Sequence, residues 1–227
     1  MCANGAGSIL GVTLAPPTLD RLARSAEVFN GYAGADRTWH DFVARTAPTA
    51  DLGRPEHRRL LHRWLNSWGC RIRYPRDGEP DLFDDGLAAW WGTFGATLPA
   101  GSLRLAGDDD LTALGTAYAA LAAAPAGPNR TLGPTAAAKA LYALRPDTAM
   151  PWDAAIAIAL HGARDGAAYT RHLALGRGWA ASLVAEAGVD DDAMPALLGR
   201  PDVSLAKILD EYTYVFITRQ QDRPEPG

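Results

Sequence analysis

Apolar residues along most of this chain recur at intervals of three and four, and no segment alternates with period two for long enough to build a sheet. That pattern predicts an all-α fold, a multi-helix domain. Thr18 is placed to cap a first helix whose Leu19, Leu22, Ala26 and Phe29 share one side and which ends near Gly31. A second helix is expected over Thr38 to Ala47 and a third from about Pro55 to Trp68. Acidic Asp108 opens another that runs to about Ala123, where the Pro- and Gly-containing segment 124–129 stops it. Further helices are expected over 135–144, from Pro151 and Asp153 onward, over 167–187, and from Val203 to about Thr218.

Length and patterning place residues 1–219 in a single all-α domain, large enough for one core or for two helical lobes around a cleft. A lobe boundary, if present, falls in the loop near 70–80, and the Pro- and charge-rich 220–227 reads as a flexible tail. Two cysteines, Cys2 and Cys70, are too few for a disulfide scaffold and lack Cys-x-x-Cys spacing, which points to a reducing, cytoplasmic location. No basic region precedes the weak apolar stretch Ser8 to Ala15, and no segment is apolar for the length a bilayer needs, so no membrane partner is expected. The net charge of -4 argues against indiscriminate phosphate binding while allowing a local basic surface.

One such surface is legible on the third helix. Leu60, Leu61, Trp64, Leu65 and Trp68 form its apolar side, and Arg59, His62, Arg63 and Asn66 fall opposite. Arg71, Arg73 and Arg76 carry the charge into the following loop, ahead of the acids Asp81, Asp84 and Asp85. The arginines read either as a phosphate contact or as a solvated face balanced by those acids. Trp90 and Trp91 read likewise as core or cleft wall, or as a stacking platform for a base.

Several chemistries lack their motifs. There is no phosphate-cradling Gly-x-x-x-x-Gly-Lys, no glycine turn of the dinucleotide type, no Gly-x-Ser-x-Gly elbow and no His-x-x-x-His pair. The Asp triplets 108–110 and 190–192 lack calcium-loop spacing and read as helix caps. No metal and no cofactor are expected, and Cys70 reads as an inert thiol.

What remains is the stretch 131–161. Leu132-Gly133-Pro134-Thr135-Ala136 makes a glycine turn into a helix that sets Thr135, Lys139 and Tyr142 on one side, and Met150-Pro151-Trp152-Asp153 leads a lone Asp to the start of the next. These residues resemble the second half of the helix-hairpin-helix DNA glycosylase superfamily, with Asp153 falling on the catalytic Asp. The resemblance implies that Gly133 and Thr135 contact nucleic acid. Bifunctional members carry a nucleophilic lysine just after the hairpin glycine, where this chain has Pro134, and no iron-sulfur cysteines follow; the implied activity is therefore a monofunctional N-glycosidase without lyase chemistry.

Elementary chemistry supports one carboxylate in that role. Breaking an N-glycosidic bond builds positive charge on the sugar, which a nearby carboxylate stabilises, or the carboxylate orients the attacking water. Such an enzyme holds an unstacked base with aromatic and polar groups, here Trp152, Tyr142, Lys139 or the Trp90 and Trp91 pair. The competing reading of Asp153 is a plain N-cap. Two other functions compete: a non-catalytic module holding nucleic acid or a partner protein through the hairpin and the basic helix near Arg59 and Arg63, and a small-molecule enzyme acting on a nucleoside or nucleotide.

Overall fold

A computed structural model describes residues 14–31 and 34–219, with the side chains of all but 34–36. Among them are ten α-helices: α1 Leu19–Asn30, α2 Gly34–Thr46, α3 Pro55–Ser67, α4 Leu82–Phe94, α5 Asp108–Ala123, α6 Pro134–Leu144, α7 Ala154–His161, α8 Gly166–Ala187, α9 Met194–Leu197 and α10 Leu205–Thr213. Thr18 caps α1 by accepting from the Arg21 amide. The last predicted helix ends earlier than expected: after Thr213 it widens into a π turn over Tyr214–Thr218. No helix among the described residues is long and apolar enough to cross a membrane. The expected tail 220–227, Cys2 and most of the stretch Ser8 to Ala15 lie outside the described residues.

Two elements differ from the sequence expectation. A short antiparallel hairpin, β1 Pro125–Gly127 and β2 Arg130–Thr131, occupies the segment that stops α5. The acidic patch at 81–85 is the start of α4: the Asp81 carboxylate accepts the Asp84 amide at 3.0 Å, and Asp84 and Asp85 lie in the first turn, where the helix dipole favours negative charge. The hairpin rests on α4 at Gly86, where a β-carbon would sit 2.7 Å from the Pro125 carbonyl oxygen.

The bundle is built around α5 and α8, which pack against each other, with α6 on α5, α1 on α10 and α2 on α3. Close approach of α5 to α8 requires glycine on both sides, since a β-carbon on Gly115 would lie 2.8 Å from the Gly166 carbonyl oxygen. One hydrophobic core runs from Leu22 to Ile217 and includes residues on both sides of the 70–80 loop. That loop is stitched to α3, because the Asn66 amide group both donates to and accepts from the Ile72 backbone, at 2.8 and 2.6 Å.

The Asp triplets divide in role. Asp110 accepts the Gly107 amide at the start of α5, as a cap does, and Asp108 pairs with Arg177 at 2.7 Å. Asp191 is no cap: it binds the Arg104 guanidinium at 2.5 Å and the Ser102 hydroxyl, fastening the segment before α9 to the one before α5.

Candidate functional site

The sequence runs in the order helix α5, hairpin, helix α6, linker, and then Asp153 at the mouth of α7. Gly133 turns the chain from β2 into α6 at φ 83°, a conformation in which a side chain is strained. Its amide donates to the Ala122 carbonyl at 3.0 Å, so the turn is closed on the end of α5. Thr135 is half-buried in the first turn of α6.

Asp153 is half-buried, and both of its carboxylate oxygens are held. Oδ1 accepts the Ile156 amide at 2.9 Å, the N-cap bond of α7. Oδ2 accepts the Thr218 hydroxyl at 2.7 Å from the π turn that follows α10. A carboxylate offers about four lone-pair positions. The two bonds fix the orientation of the group and leave an acceptor position on each oxygen.

Around this carboxylate the fold gathers charge that the sequence had not marked. Lys207, Asp210 and Glu211 lie on α10, every residue of which is buried. The Lys207 ammonium binds Asp210 at 2.7 Å and stands 3.6 Å from Glu211, which also accepts from Arg200 at 2.7 Å. Arg200 reaches further to the Asn30 side-chain oxygen. Burial works against charge on Lys207, but the carboxylates of Asp210 and Glu211 outweigh it and raise its pKa. Burial likewise raises the Asp210 carboxyl, with Lys207 opposing; Asp153 and Lys139 are both close enough to act on it, one by repulsion and one by attraction.

Trp68 links the two lysines. It is half-buried at the end of α3, and its ring lies 5.5 Å from the Lys139 ammonium and 5.1 Å from that of Lys207, within cation–π range. The Lys139 ammonium donates to the Trp68 carbonyl at 2.7 Å. Phe29 covers Lys207 from another side at 4.3 Å. Tyr142 belongs to the same aromatic group, stacked on Trp39 at 4.8 Å and 6.2 Å from Trp68. Cys70 is a free thiol near Lys139, and burial raises its pKa.

Of the residues expected from the sequence, the structure therefore brings Asp153, Lys139 and Tyr142 toward one neighbourhood and sends others elsewhere. Trp152 turns away from Asp153 into the core, 1% exposed, against His172, Tyr169 and Tyr118. Trp90 is core, its indole donating to the Ala117 carbonyl at 2.9 Å; Trp91 packs half-buried beside it. Arg59, Arg63 and Arg71 are exposed, and Arg73 is held by both oxygens of Glu79 at 2.8 and 2.5 Å. The acids 81–85 do not balance Arg59 and Arg63, because Asp84 is taken by the neighbouring Arg58 through two bonds of 2.8 and 2.6 Å.

Two adjoining cavities of about 500 and 400 Å³ share Trp39, Val43, Gly101, Pro146 and Asp147, and neither is lined by Asp153, Lys139 or Asp210. Among the described residues no group of three or more His, Cys, Asp or Glu side chains is arranged to hold a metal ion. The one signal in the sequence for the residues missed is that Lys207, Asp210 and Glu211, opposite the apolar stripe Leu205, Ile208, Leu209 and Tyr212, stand at charge-pairing spacing. No family model, curated protein or solved structure matches the chain.

Proposed function

We propose that the chain is a monofunctional N-glycoside hydrolase that removes a damaged or modified base from nucleic acid, with Asp153 as its catalytic carboxylate. The observation that carries this reading is the setting of Asp153. Its carboxylate is oriented from two sides, by the Ile156 amide and the Thr218 hydroxyl, within electrostatic reach of Asp210, on which Lys139 also acts. Three helices contribute ionisable groups to that neighbourhood. Burying paired charges gains little stability over apolar packing, so such clusters concentrate where charge is used. In the proposed reaction the sugar–base bond breaks as positive charge grows on the sugar, and Asp153 stabilises that charge or takes a proton from the attacking water. Lys139, which acts on Asp210 as Asp153 does, supplies a cation to the same neighbourhood. The order of helix, hairpin, helix and helix-capping Asp supports the likeness to helix-hairpin-helix glycosylases, and the free thiol of Cys70 suits a reducing compartment such as the cytoplasm.

A second reading, a non-catalytic nucleic-acid-binding module, is favoured by the same two bonds, because a cap and a tether need nothing more from Asp153. The test is base release from plain, damaged and chemically modified DNA and from free nucleosides. Release by the native chain that is lost in Asp153→Asn supports the hydrolase; no release from any substrate overturns it. Release from nucleosides alone would instead assign a small-molecule enzyme.

A further inference from the structure

The 70–76 loop runs along the His62 and Asn66 side of α3. Asn66 clasps Ile72, and the His62 ring meets the Ile72 carbonyl at 3.2 Å. In a helix of 3.6 residues per turn Arg59 and Arg63 lie about 20° and about 60° around the axis from Asn66, so they emerge on the side of α3 that this loop crosses. Both are exposed and hold no ion pair among the described residues. The hairpin adds a third cation, since Arg130 donates to the Arg71 carbonyl at 3.2 Å while both residues stay exposed. Arg71 itself holds φ 53°, a left-handed conformation unusual for a residue with a side chain, and this turns the loop across α3. The nearest acids are largely engaged: Glu79 by Arg73, Asp84 by Arg58, and Asp81 by the first turn of α4. Asp77 and Asp85 carry no ion pair among the described residues. The chain is acidic as a whole, so this concentration of arginine is local.

Tyr74 lies on this loop, between Arg71 and Arg76. It is 52% exposed, and its ring lies flat on His62, with centroids 4.1 Å apart and planes at 23°. His62 is backed in turn by Phe83 at 4.3 Å. A large ring that remains half in water, yet is held parallel to a buried imidazole, presents a free π face of fixed orientation. Duplex DNA hides its base faces, whereas a strand with unpaired bases can lay one on such a ring while arginines take the flanking phosphates. We infer that the face formed by Arg59, Arg63, Arg71, Tyr74 and Arg130 binds single-stranded nucleic acid, with Tyr74 stacking on an unpaired base. The inference rests on the reading of the chain as nucleic-acid-directed, and it does not require Asp153 to be catalytic.

The test is fluorescence anisotropy with a labelled oligothymidylate of about ten nucleotides, a site size within the range of such surfaces, titrated at several salt concentrations. Salt-dependent saturable binding is expected. Tyr74→Ala should weaken it about 10-fold and Tyr74→Phe should leave it unchanged, as stacking requires. Arg59→Gln with Arg63→Gln should lower the slope of log K against log salt by about 1.4, the release expected for two phosphates on a single strand. The three positions are exposed and lose little packing, so unchanged circular dichroism and melting confirm that these variants fold. Absence of binding, indifference to Tyr74→Ala, equal affinity for a duplex of the same length, or equal competition by polyglutamate would each overturn the inference. Asp153→Asn is carried alongside. If it binds like the native chain while neither protein releases base, this surface stands and the hydrolase reading falls; base release without oligothymidylate binding gives the reverse.

Discussion

Replacing Asp153 in two ways separates what its shape does from what its charge does. In Asp153→Ala, α7 loses the 2.9 Å bond from the Ile156 amide, a cap worth about 1 kcal/mol. The Thr218 hydroxyl also loses the acceptor it holds at 2.7 Å in a half-buried setting, which costs about 1–1.5 kcal/mol. The sum, roughly 2–2.5 kcal/mol, corresponds to a fall in Tm of about 4–10 °C for a domain of this size. Asp153→Asn behaves differently. Asn caps helices as well as Asp, its amide can donate to Thr218 instead of accepting, and losing the charge removes a repulsion on Asp210. Its stability should stay within about 0.5 kcal/mol of the native chain. Thr218→Val should cost about 1 kcal/mol, and the cycle with Asp153→Ala should show a coupling of similar size. Urea unfolding followed by circular dichroism measures each variant, and base release from the most responsive substrate is measured in parallel. The hydrolase reading expects Asp153→Asn to fold normally and to lose about 100-fold or more in release. An Asn variant as unstable as the Ala variant would show that the negative charge itself is structural. One that releases base at the native rate would remove Asp153 from the chemistry.

Three further outcomes test the packing and electrostatics around this site. Gly115→Ala should destabilise the protein by about 1 kcal/mol net, because the clash with Gly166 outweighs the helix-propensity gain. Gly178→Ala on the same α5–α8 pair has nothing within 4 Å and should stabilise by about 0.5–1 kcal/mol; equal signs for the two in chemical denaturation would refute the close approach. Lys207→Met strands Asp210 in the interior, while Glu211 keeps Arg200, and should cost about 3–5 kcal/mol, with Lys207→Met/Asp210→Leu recovering much of it; a loss under about 1 kcal/mol for the single variant would show that the ion pair is not buried as described. The last concerns His161 and His172, buried beside Trp152 and bonded to each other at 3.1 Å. Burial pulls them down to about 4 and about 3, so between pH 6.5 and 4 the unfolded chain takes up protons that the folded chain refuses. Stability present above pH 6.5 should therefore fall with pH by about 2–4 kcal/mol on reaching pH 5. Unfolding midpoints that are flat from pH 7 to 5, or unchanged in slope by His172→Gln, would contradict this.

The helices were legible because each rests on local chemistry. Thr18, Asp153 and Ser204 accept amides three residues ahead, and Gly133 with Pro134 as the first helical residue opens α6. Helix α4 was hidden because Gly86 and Gly92 weaken its propensity and its acids looked like a surface patch; Gly86 is there for the hairpin that packs on it, a long-range cause. The hairpin itself is too short for alternation to register. In the site, Asp153 stands out in the sequence as a lone acid before a helix, whereas Lys207, Asp210 and Glu211 have the spacing of any charged side of an amphipathic helix. They became a buried cluster only because α1, α8 and the end of α3 close over α10.

Periodicity and capping are properties of a few consecutive residues, and so the sequence by itself determined the all-α class, most helix ends, the place of Asp153 as a cap and the arginine-rich back of α3. Which side of each helix meets which neighbour depends on contacts between residues far apart in the chain. Long-range packing therefore decided that Thr218 holds Asp153, that Arg58 rather than Arg59 or Arg63 takes Asp84, that Trp152 faces the core, and that Tyr74 lies on His62. Burial changes what a charge costs, and burial is set only when the helices pack.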